Sequence, residues 1–161
     1  MVESWDSFFV AETAAAAALL GLLFVAMSIN LKQFIEAGGL TDRAFGALVL
    51  LLSLLIIGLL LAMPDQPVLI MGAETVVISA CTAAVAVVSG IRGLQAADDL
   101  YRRNFAQNII GNVIAIAPIT IGGLLMISGG EAGFYWVAAG MCLSLVKAVS
   151  EGWIFLIEIN R

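Results

Sequence analysis

Few side chains in this sequence could do chemistry, and nearly all of them stand among apolar neighbours. Glu12 follows Phe8-Phe9-Val10-Ala11 and precedes Thr13 and a run of alanines. Glu74 lies seven residues after Pro67 in an otherwise apolar stretch. Asn104, Asn108 and Asn112 recur every four residues, with Ala115 next on the same helical face. Gly140, Ser144, Lys147 and Glu151 follow at spacings of 4, 3 and 4, again one face. Asn30 stands 18 residues after Glu12, five helical turns, and so shares its face. Carboxyls in apolar surroundings bind protons or cations. A lysine there pairs with an acid or binds an anion. An amide row either joins helices or lines a hydrated path.

The elements that must position these groups are membrane helices. Of the 161 residues, 62% are hydrophobic and only 12% are charged. Soluble domains carry about 25% charged residues. A helix needs about 20 apolar residues to cross a bilayer. Five runs meet that length, at about 8–31, 44–63, 68–91, 105–127 and 133–157. Pro67 opens the third, where a missing N–H costs little. The period-2 alternation of a barrel strand is absent. The sequence therefore predicts an all-α, polytopic bundle with residues 1–161 in one membrane domain. Thr41 or Asp42 is the expected cap of the second helix. The link at 92–104, with Asp98, Asp99, Arg102 and Arg103, reads as a polar connection or a short surface helix.

Orientation follows the basic residues. Lys32, Arg43, Arg92, Arg102, Arg103 and Arg161 all fall on one side of a five-span chain. The N-terminal segment and the turns at 64–67 and 128–131 hold none. The N-terminus is expected outside and the C-terminus inside. Trp5, Tyr135 and Trp136 then mark the outer interface and Trp153 the inner one. No basic n-region precedes the first apolar run, so it does not read as a cleavable signal. No lipidation motif is visible.

Depth separates the candidates. Glu74 lies about 10 Å below Pro67, deep for a short acid. It is expected to face a cavity, a subunit interface or a partner such as Thr13. On the opposite face Gly72, Ser79, Ala83, Ala86 and Gly90 form a stripe of small residues suited to close helix packing. Glu12 reaches the outer interface, lines a pore or binds a proton, or makes a buried interhelical hydrogen bond. Pro118, with Gly122 and Gly123 beyond it, suggests a kink in the fourth span. Two polar layers result. Glu12, Thr13, Glu74 and Thr120 form the outer one, and Asn30, Asn108, Asn112, Lys147 and Glu151 the inner one.

Several chemistries are excluded or weak. There is no histidine, so histidine-based metal, haem and acid–base sites are absent. Cys81 and Cys142 sit in apolar runs and read as packing residues. The net charge of −5 offers no basic patch for nucleic acid. No phosphate loop or nucleophile elbow occurs. Ser144, three residues before Lys147, is too weak a dyad to argue an enzyme. No cofactor or metal is expected.

The segments Trp5-Asp6-Ser7-Phe8-Phe9 and Gly21-Leu22-Leu23-Phe24-Val25-Ala26-Met27-Ser28-Ile29-Asn30-Leu31 resemble small bacterial multi-pass proteins of unknown function. Some of these are labelled modulators of a membrane protease. The resemblance covers the first span alone and implies a bacterial cytoplasmic (inner) membrane setting, with no site residues. On the residues themselves, the leading expectation is a small homo-oligomeric channel or transporter for ions or protons in a lipid bilayer. The alternative is a non-catalytic subunit that regulates or scaffolds a membrane-protein partner.

Overall fold

The structure is a computed structural model that describes residues 3–30, 40–96 and 99–159. Among the described residues there are five helices and no strand. They are α1 (Glu3–Ile29), α2 (Leu40–Leu61), α3 (Val68–Ala96), α4 (Asp99–Ile127) and α5 (Ala132–Ile159). Each contains a stretch long and apolar enough to cross a membrane: Trp5–Ile29, Ala44–Leu61, Val68–Arg92, Gln107–Ile127 and Ala132–Ile154. Within a bilayer, every backbone polar group must be satisfied inside its own segment, and uninterrupted helices achieve this.

The helices extend beyond the apolar runs at several ends. α1 begins at Glu3, and Asp6 in its first turns favours the positive end of the helix dipole. α2 already includes Thr41 and Asp42, so it starts ahead of the expected cap. The polar link at 92–104 is largely absorbed, with α3 running to Ala96 and α4 starting at Asp99. Helix backbones tolerate polar residues once they leave the apolar layer, so composition marked the span and not the helix end. α4 continues through Pro118. Residues 31–39, including Lys32, lie outside the described residues.

Two tight turns set the topology. α2 passes to α3 through Pro64-Asp65-Gln66-Pro67, where Asp65 takes a positive φ of 57°. The Pro67 carbonyl accepts from the amides of Ile70 and Met71 and so caps α3. The turn after α4 passes through Gly129, with a φ of 79°. There the Gly130 amide donates to Leu125 O at 2.8 Å and the Gly129 amide to Met126 O at 3.0 Å. This pair of bonds satisfies the last carbonyls and requires a left-handed residue, hence glycine.

Consecutive helices pack on one another, α5 packs on α2, and α1 touches α5 only briefly. α2 is the centre of the bundle. Half of its span is buried, against 17% for α1. Its Leu51, Leu54, Ile57 and Leu61 form the core with Phe9, Met71, Ile119, Met126, Val137 and Met141. Apolar residues also cover the exterior, among them Leu22, Phe24, Ile29, Ile110 and Val146, as contact with lipid tails requires.

Because lipid tails are as apolar as leucine, close packing rather than hydrophobic burial must join the helices. Gly122 and Gly123 turn α4 toward both neighbours. A Cβ on Gly122 would lie 2.7 Å from Gly133 O and from the Val137 amide of α5. A Cβ on Gly123 would lie 3.0 Å from Gly72 O of α3. The α3 stripe faces α4: Gly72 meets Met126, Gly90 meets Ile109, and Thr120 donates to Ser79 Oγ at 3.0 Å. Ala86 is buried and Ala83 half-buried on that side.

Candidate functional site

Four of the polar residues come together between α4 and α5. Lys147 Nζ is ion-paired with Glu151 Oε1, one turn further along α5. Asn108 of α4 donates its amide to the same Glu151 oxygen at 2.9 Å. Asn112 donates to Asn108 Oδ1 at 3.0 Å. The side chains of Lys147 and Glu151 are 16% and 7% exposed. The order Lys before Glu is the weaker one for an isolated helix, so the neighbouring helix is part of the arrangement. Gly111 explains how the lysine fits. A Cβ there would lie 2.7 Å from Lys147 Cε, so only glycine leaves room for the aliphatic stem to cross α4. One turn before Lys147, the buried Ser144 hydroxyl donates to Ala115 O at 3.3 Å.

Glu12 stands apart from this network. It is 7% exposed, and its Oε1 is buried with no hydrogen-bond partner. Cys142 of α5 is within electrostatic reach of it. Phe9, one turn earlier on the same face, packs with Trp5 and Phe134, and Trp5 meets Tyr135 edge-on at 4.8 Å. The aromatic cluster sits over Glu12 at the end of the bundle where α1 and α5 begin. Thr13 donates to Phe9 O at 2.7 Å and packs on Gly58 of α2. Further along, α1 and α5 separate around an apolar groove of about 250 Å³, lined by residues including Leu19, Leu23, Leu51, Val149 and Trp153.

The other candidates are engaged locally. Glu74 accepts from Gln66 Nε2 at 2.7 Å and is half-buried. It clasps the turn at 64–67 and does not meet Thr13, because α2 separates α1 from α3. Asn30 donates to Ala26 O of its own helix at 3.0 Å. Thr120 joins Ser79 at the α3–α4 contact. The outer layer is therefore dispersed over separate helix pairs, whereas most of the inner layer is one connected group. Asn104 has no described side chain.

Three roles were not read from the sequence: Gln66 as the partner of Glu74, Gly111 as the channel for Lys147, and Cys142, expected only as a packing residue, within reach of Glu12. Gln66 was the most accessible of them, standing two turns before Glu74 across a tight turn. The other two depend on which helices become neighbours. Among the described residues there is no group of three or more Cys, Asp or Glu side chains placed to hold a metal ion.

Fold and site together define a multi-pass, all-helical membrane protein with ionisable groups inside its spans. Compared with protein-family profiles, curated proteins and solved structures, the chain matches none of them.

Proposed function

We propose that this protein is a small membrane transport protein, a channel or transporter for ions or protons. The observation that carries the reading is the Lys147–Glu151 pair, held by Asn108 within an apolar helix bundle. A charged group at membrane depth costs about 2.5–3.5 kcal/mol on insertion scales, and such groups mark ion paths and relays by default. The same region holds Asn112 and Ser144, so polar groups run along the α4–α5 contact. Glu12 supplies a second, separate polar centre. Homo-oligomers, the bacterial cytoplasmic membrane and an outside N-terminus complete the proposal. Assembly would set the polar contact regions of several copies around a shared path.

A second reading, a subunit regulating another membrane protein, is favoured by α1. Leu22, Val25 and Ile29 leave one of its faces open, and a partner helix would cover that face.

The experiment is ion and proton flux in proteoliposomes, comparing wild type with Lys147→Met and Glu151→Gln. Transport predicts flux above protein-free liposomes that falls at least about tenfold in K147M, with the variant still folded in detergent. A tenfold fall corresponds to about 1.4 kcal/mol in the barrier. No flux across a range of pH, voltage and common ions would replace this reading with the subunit, and a pull-down would then seek its partner.

A further inference from the structure

We propose that Glu12 is a proton-binding site, taking a proton and not a metal cation as its ion. The inference deepens the transport reading and rests on it for its purpose, though its chemistry stands separately. Glu12 is 7% exposed and its Oε1 makes no hydrogen bond. Among the described residues, the helices packed on α1 offer it no counter-charge. The stretch 44–61 of α2 has no ionisable side chain. From α5 the group within reach is Cys142, while Lys147 and Glu151 are joined to Asn108 on the side facing α4. On α1 itself, Asp6 is exposed, and the Thr13 hydroxyl is turned to Phe9 O.

A carboxylate buried without a counter-ion or donor is strongly disfavoured, and a bound proton removes the charge. A hard metal cation would need some six or more oxygen ligands. Along α1, Phe9, Ala11, Ala15 and Ala16 flank Glu12 and supply no side-chain oxygen, and the Thr13 hydroxyl is turned to Phe9 O. Release is simple: the O–H bond breaks, its electron pair stays on the carboxylate, and the proton passes to water. The aromatic cluster of Trp5, Phe9 and Phe134 stands between Glu12 and the nearer end of the bundle. The apolar groove lined by Leu19 and Leu23 begins about two turns further along α1.

The test treats the full-length protein in proteoliposomes with N,N′-dicyclohexylcarbodiimide, locating the adduct by peptide mass spectrometry. A protonated carboxyl adds across the carbodiimide: its proton goes to nitrogen, its oxygen to carbon, and nothing leaves. The expected result is an adduct on Glu12 whose rate falls about tenfold per pH unit once the acid is mostly ionised, and which sodium or potassium does not change. E12Q loses the adduct. Should E12Q not fold, E12D, which keeps the acid, is labelled with the same pH trend. No adduct on Glu12, or one that sodium slows, overturns the proposal. An adduct without any flux keeps the proton site and removes the transport reading. Flux without an adduct does the reverse.

Discussion

Asn108 on α4 and Glu151 on α5 are 43 positions apart in the chain, yet the Asn108 amide reaches Glu151 Oε1 at 2.9 Å. That oxygen also receives Lys147. One carboxylate thus ties together two helices and neutralises the costliest side chain in α5. Breaking any arm leaves the others inside the membrane without it.

Lys147→Met should destabilise the protein by about 3 kcal/mol, because a buried acid loses its counter-charge. Lys147→Met combined with Glu151→Leu should recover most of that loss. Asn108→Leu should cost about 1 kcal/mol, the usual scale of an interhelical hydrogen bond in membranes. Denaturation in mixed micelles, read by helical circular dichroism, gives all three values. A double-variant loss equal to the sum of the Lys147→Met and Glu151→Leu losses would show that the pair is not coupled.

A packed glycine on α4 and an open one on α1 make a sharper test of packing. Gly122→Ala places a Cβ 2.7 Å from backbone atoms of α5, which cannot yield as a flexible side chain would. A loss of about 1–3 kcal/mol is expected. Gly21→Ala meets nothing within 4 Å and should gain up to about 1 kcal/mol from helix propensity. The same denaturation measurement on both variants checks the contrast; similar effects would mean that α4 and α5 are not in this close contact.

Gly58 and Thr13 form a crossing that can be broken and repaired. Gly58→Ala collides with the Thr13 side chain and meets Phe9 O at 3.4 Å. It should push α1 from α2 and lower the thermal stability in detergent. Adding Thr13→Ala removes the colliding hydroxyl and should restore most of it. Failure of the second substitution to rescue would place the strain elsewhere.

The orientation proposed from the basic residues can be read with thiol labels. In a background lacking Cys81 and Cys142, Ser128→Cys and Glu131→Cys occupy exposed positions at one end of the bundle and Gln95→Cys an exposed position at the other. A membrane-impermeant maleimide added to intact cells should label the first two and reach Gln95→Cys only after permeabilisation. The opposite pattern would invert the topology.

The number and type of spans were legible because bilayer crossing is a local property. A run such as 44–61 is apolar over its whole length, and a helix is the structure that satisfies its backbone within lipid. The faces were legible too, since Gly140, Ser144, Lys147 and Glu151 follow the helical repeat. Helix ends were less so, because Asp99 and Arg102 join α4 as readily as they would a loop. Tertiary structure alone decided which faces meet. Lipid tails and leucine are equivalent solvents, so hydrophobicity does not choose neighbours. Gly111, Gly122 and Gly123 do, by admitting a lysine stem and two backbones. That choice joined Asn108 to Glu151, while the packing of α1 left one Glu12 oxygen buried beyond Phe9 where nothing in the bundle satisfies it.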